Sequence, residues 1–148
     1  MEVSQKTRDV WQRVQGESPL YQMQQLPELM SAEKQGAVTY LHLSHHFGGK
    51  EGTMLRQMFE EAQMHISCLR GIYRMRTGER CTLHTAPPDT DEASIALRKC
   101  YGREMRCLAM YEDLSADGEY GPVFSQLAKE ERIHCKNILH LIGKLDLK

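Results

Sequence analysis

Glu131 and His134 lie three residues apart in KEERIH, residues 129–134. On a helix that spacing puts both side chains on one face, one turn from each other. It is the arrangement by which a bundle helix holds a metal ion from inside the bundle. The rest of the chain supplies partners for it. Glu33 and Tyr40 are seven apart, and His65 follows 25 residues after Tyr40; Glu104 and Tyr111 are seven apart, and His134 follows 23 residues after Tyr111. The skeleton Glu–x6–Tyr … His therefore occurs twice. Iron or manganese inside a bundle takes hard carboxylates together with imidazole. Without a cation, carboxylates meeting in one core repel one another and lose their hydration. A solvated charged stripe accounts for any one of Glu33, Glu104 and Glu131, but poorly for all three on apolar faces together with His65 and His134.

These residues need long helices to position them, and the apolar pattern is helical throughout. A short stripe, Val10, Trp11 and Val14, marks an N-terminal helical segment, and Ser18 with Pro19 reads as a cap and a first helical residue. Pro27 can open a helix running to about Phe47, with Leu29, Met30, Ala37, Tyr40, Leu41 and Ser44 inward, ended by Gly48 and Gly49. A second runs from about Glu51 to Thr77 and stops at Gly78. A third, capped by Thr90 with Asp91 and Glu92 in its first turn, runs to about Ser115. The turn ADGEYGP precedes a fourth, from about Val123 to Gly143. Between the second and third lies the one long linker, residues 78–90, where Pro87 and Pro88 exclude helix. Extended, it reaches ~43 Å, enough to run the length of a bundle. The expected fold is all-α: a four-helix bundle over 26–148 with one long crossover connection, preceded by an N-terminal helical extension over 1–25.

Composition bounds the function classes. At 148 residues, 41% hydrophobic and 26% charged, the chain suits one domain of ordinary soluble make-up. A formal net charge of −1 gives no reason to expect nucleic acid or an anionic membrane as partner. No apolar run approaches the ~20 residues of a membrane span, and MEVSQKTRDV has no apolar signal core, so a cytoplasmic protein is expected. The five cysteines are odd in number and show no C-x-x-C pair, which argues against a disulfide framework and a zinc ribbon. Cys68, Cys100 and Cys107 fall at positions expected to face inward.

Glu33 with Tyr40, the segment FEEAQMHISCLRGIYRMRTGE, Glu104 with Tyr111, and KEERIH together resemble the ferritin-like superfamily, most of all its rubrerythrin-type branch. The resemblance covers about residues 26–145. It implies a di-metal site, usually of iron, that reduces peroxide or reacts with dioxygen. It also implies ligand roles for Glu33, His65, Glu104, Glu131 and His134, with Tyr40 and Tyr111 hydrogen-bonding the carboxylates.

Three departures qualify it. The second helix reads Ala62-Gln-Met-His65 where the family has Glu-x-x-His, so the bridging Glu is replaced by Ala62. One or two loosely held iron ions remain possible, with Glu61 an additional ligand if a local helix adjustment such as a π-bulge brings it in. So does a metal-free bundle. Cys107, three after Glu104, is a second possible ligand and would suit zinc; an inert buried thiol is its plainer role. No C-x-x-C pair of an electron-transfer module occurs in these residues, so an enzyme of this kind is expected to draw electrons from an external donor. The resulting expectation is a metal-binding protein with iron-dependent, peroxidase-like redox activity, manganese and zinc being alternative metals, assembled as a homodimer. The competing reading is a degenerate bundle acting as a binding or dimerisation scaffold. His42, His45 and His46 near the first helix end, and the cations of YRMRTGER, read as solvated.

Overall fold

The computed structural model describes residues 19–84 and 87–147, with the side chains of the first helix from Gln24 onward. Most of the expected N-terminal extension, Trp11 included, lies outside the described residues. Four helices follow one another: α1 (Pro19–Ser44), α2 (Gly49–Thr77), α3 (Ala93–Leu114) and α4 (Gly121–Asp146), with no strand among the described residues. α1 packs chiefly on α2 and α3 chiefly on α4; α1 also meets α3, while α2 and α4 touch least. No helix among the described residues is long and apolar enough to cross a membrane.

Each helix buries a stripe at helical spacing, and every stripe is interrupted by polar residues near its middle. On one side lies an apolar cluster that includes Leu26, Leu29, Met30, Leu69, Ile72, Leu108, Phe124 and Leu127. On the other lies a second, with Leu43, Leu55, Met58, Leu97, Ile138 and Leu141. Between them along the chain come the buried Glu33, His65, Glu104, Glu131 and His134. The two apolar ends drive assembly, at ~1.5–3 kcal/mol for each fully buried large side chain, and the polar middle is carried in with them.

Several boundaries and faces differ from the sequence expectation. α1 begins at Pro19, not Pro27, and Pro27 lies inside it. An interior proline costs ~3 kcal/mol through its missing N–H and its ring clash. Full burial of Leu26, Leu29 and Met30 on either side of it outweighs that cost. Leu41 is 38% exposed, because Tyr40 and Leu43 take the inward positions on that turn. Cys68 is exposed, since Ile66 and Leu69 hold the buried face of α2. α3 starts at Ala93, and its flanking residue is Glu92 without a side-chain cap. Thr90 is therefore not the cap. Asp89 folds back instead, its carboxylate accepting the Asp91 N–H at 2.9 Å.

The linker is fastened at several points. Cys81 and Leu83 pack on the first apolar cluster. Gln35 Nε2 donates to the Pro87 carbonyl at 3.1 Å, and the Asp89 N–H donates to Thr39 Oγ1 at 3.2 Å. At its start Gly78 adopts the left-handed conformation (φ 73°) and its N–H closes α2 on the Arg74 carbonyl. The α1–α2 turn is tight in a different way: a Cβ on Gly52 would sit 2.3 Å from the Phe47 carbonyl oxygen. Gly52→Ala should therefore destabilise the protein by ~1–3 kcal/mol through overpacking. Gly102→Ala, where nothing lies within 4 Å of the added atom, should stabilise it by ~0.5–1 kcal/mol. Urea denaturation of the two variants beside the parent checks both signs.

Candidate metal centre

The repeat seen in the sequence becomes a paired arrangement in space. Glu33 comes from α1, His65 from α2, Glu104 from α3, and Glu131 with His134 from α4. All five are at most 3% exposed. Ligand-type atoms of Glu33, His65 and Glu131 lie within 4.8 Å of one another, as do those of Glu104, Glu131 and His134. Glu131 belongs to both groups. His65 Nδ1 is 3.0 Å from Glu131 Oε1 and 3.2 Å from Glu33 Oε1. His134 Nδ1 is 3.8 Å from Glu104 Oε2 and 4.0 Å from Glu131 Oε2. The two imidazoles stack with centroids 5.8 Å apart.

The tyrosines bind the two groups crosswise. Tyr111 on α3 donates to Glu33 Oε1 on α1 at 3.0 Å, and Tyr40 on α1 donates to Glu104 Oε1 on α3. Each fixes one carboxylate oxygen. Left without a hydrogen-bond partner are Glu33 Oε2, Glu104 Oε2, Glu131 Oε2, His134 Nδ1 and His65 Nε2. Buried polar atoms are nearly always paired, so five in one cluster are places for a proton or a cation. Three carboxylates and two imidazoles with open atoms suit a hard divalent cation. The buried Glu and His groups can hold a metal ion.

The Nε2 side of each imidazole faces a carboxylate nearer the surface. Glu61 Oε2 lies 2.6 Å from His134 Nε2, and Glu130 Oε2 lies 3.3 Å from His65 Nε2, off hydrogen-bond alignment. A carboxylate behind an imidazole fixes which ring nitrogen is free to ligate. Glu61, a possible additional ligand if the helix is locally irregular, lies on continuous α-helix with its carboxylate against His134 Nε2. Glu61 also lines a cleft of about 490 Å³ between α2 and α4, with Lys50, Gln57, Met58, Ile133 and Asn137. Glu130 belongs to the repeat. It stands four before His134 as Glu61 stands four before His65, so the repeat extends to a third acidic position.

Cys107 is part of neither converging group. It sits in the first apolar cluster, one turn beyond Glu104, and burial pushes its thiol well above the usual range. Ala62 occupies the position equivalent to Glu131 and is 1% exposed, so the pairing of the two halves fails at that point. His42 and His46 meet edge-to-face at the end of α1 and join no converging group. No protein-family model, no curated protein and no solved structure matches the chain.

The charges inside the centre settle in a definite pattern in the absence of metal. Burial, and then the charge of Glu131, push the Glu33 carboxyl from 4.5 up to about 8. Burial works against a charged His65, but its hydrogen bonds to Glu131 and Glu33 outweigh it and raise the ring from 6.5 to about 11. Burial would raise Glu131 too; hydrogen bonds with Glu33 and His65 and the nearby imidazoles bring it below 4.5 instead. The folded chain thus holds a proton on Glu33 more tightly than the unfolded chain between pH 4.5 and about 8, and on His65 between 6.5 and about 11. Stability conferred by these protons is lost as pH rises through both windows. Thermal melts of chelator-treated protein should show Tm falling from pH 6.5 to pH 8, where the windows overlap. Glu33→Gln should flatten that slope in part. A Tm that climbs across the interval would contradict the proton arrangement.

Proposed function

We propose that this is a ferritin-like protein of rubrerythrin type that holds one or two iron ions and uses them in redox chemistry with peroxide or dioxygen. Manganese and zinc are the alternative metals. The observation that carries the reading is Glu131, a fully buried carboxylate common to two groups of ligand-type atoms. Topology supports it. The crossed Tyr–Glu pairs set α1 and α3 antiparallel, and the linker contacts at Cys81, Leu83, Pro87 and Asp89 suit a crossover running along α1.

Glu33, His65 and Glu131 would hold one ion, and Glu104, His134 and Glu131 the other. The metal, when bound, supplies the electrons and the Lewis acidity. The chain's own residues do the rest. Tyr40 and Tyr111 orient the terminal carboxylates, and Glu61 and Glu130 steady the imidazoles. The apolar clusters on either side keep bulk water out. An external donor returns the electrons, and the assembly is a homodimer.

Ala62 favours a second reading, a bundle that has lost its activity and serves as a dimerising scaffold. Without a carboxylate there, the pair of groups has one shared ligand where the repeat offers places for two. Elemental analysis of protein purified anaerobically from cells supplied with iron, manganese and zinc separates the readings. One or two equivalents of iron or manganese per chain are expected for the metal site, and none, in a well-folded protein, for the scaffold. Glu131→Ala should cost most of the bound metal, Tyr40→Phe or Tyr111→Phe about 10–100-fold in affinity. Ala62→Glu should raise the stoichiometry; unchanged metal content in that variant would remove Ala62 from the site.

A further inference from the structure

Arg70, Arg74 and Arg80 line one surface pocket of about 420 Å³ with Gly71, Cys81 and Thr82. Arg70 and Arg74 are one helical turn apart on α2, so they stand on the same face. Arg80 comes from the linker. Nothing lies within 4 Å of where a Cβ on Gly71 would be, which leaves the floor between the two arginines open. The opposite wall is fixed, because Cys81 packs on the first apolar cluster.

Some cations of the chain are paired and others are not. Arg76 makes a bidentate pair with Asp117 and stacks over Tyr120. Lys99 pairs with Asp91, and Arg132 with Glu112. Arg70, Arg74 and Arg80 have no carboxylate within ion-pair distance among the described residues, and all three are exposed. Favourable alignment with the end of the α2 dipole explains a cation in the last turn, such as Arg74. It does not explain three arginines lining one concavity in a chain of net charge −1. The planar donor fork of arginine matches phosphate oxygens. The pocket's volume falls in the range of small-molecule sites. It is larger than a bare phosphate needs.

We infer that this pocket binds a small phosphomonoester of about mononucleotide size, its phosphate held by Arg70, Arg74 and Arg80. The rest of the ligand lies over Gly71 and against Cys81 and Thr82. The site stands apart from the buried ligand groups: Arg74 is ~14 Å along α2 from His65. It does not depend on the metal reading.

Calorimetric titration of the protein as purified tests this with AMP, inorganic phosphate and adenosine, the first two being weak chelators. AMP should bind, phosphate more weakly, and adenosine not at all. Raising the salt should weaken AMP binding. Arg74→Gln and Arg80→Gln, at exposed positions, should each weaken AMP about 10–100-fold, with metal content and Tm unchanged. Three outcomes would overturn the assignment: no binding of AMP at millimolar concentration, AMP binding that survives in the double variant, or binding of a single-stranded oligonucleotide with none of AMP. Failure of the metal site would show in elemental analysis and leave these titrations untouched.

Discussion

Three carboxylates and two imidazoles buried within one bundle set the terms for everything around them. Each charged group taken out of water carries a desolvation cost of several kcal/mol unless it is matched by opposite charge. The molecule meets this by proximity. Glu131 stands between His65 and His134, and burial and close contact favour protons on Glu33 and His65, which offset part of the cluster's negative charge. Helix register is bound to this arrangement. A slip of one residue in any helix would turn an ionisable group into a leucine cluster, where nothing could pair with it.

The tyrosines translate that local constraint into architecture. α1 and α3 belong to different helical hairpins, and their contact in the middle of the bundle is polar. Tyr40 reaches across to Glu104 and Tyr111 reaches back to Glu33. Apolar packing at either end would tolerate some sliding of one hairpin against the other. Two hydrogen bonds of opposite sense do not, because relief of one strains the other. The apolar clusters thus supply most of the driving force, and the crossed pairs fix the alignment.

Much of this was legible in the residues. The Glu–x6–Tyr … His repeat placed Glu33, Tyr40, His65, Glu104, Tyr111 and His134 on inward faces, where all are found buried. The helix count and the end of α2 at Thr77 followed from Gly and Pro. Less legible were features decided by tertiary competition. Leu41 and Cys68 are as apolar as their neighbours, and only the exact phase of the helix decides which side chains are inside. Pro27 looked like a helix start because a lone proline is normally too costly within one; the flanking burial that offsets it is not a local property. Glu61 and Glu130 lie at the border of the polar stripe, so composition alone does not say whether they face solvent or an imidazole.

Sharing Glu131 has a thermodynamic consequence. Two groups that draw on one carboxylate cannot be filled as independent sites. A cation held in the first, as proposed, would change both the charge and the free lone pairs offered to the second, and the effect would be equal in the reverse direction. A carboxylate at position 62 would have distributed that load over two residues. With alanine there, Glu131 is the one carboxylate that the two groups share among the described residues.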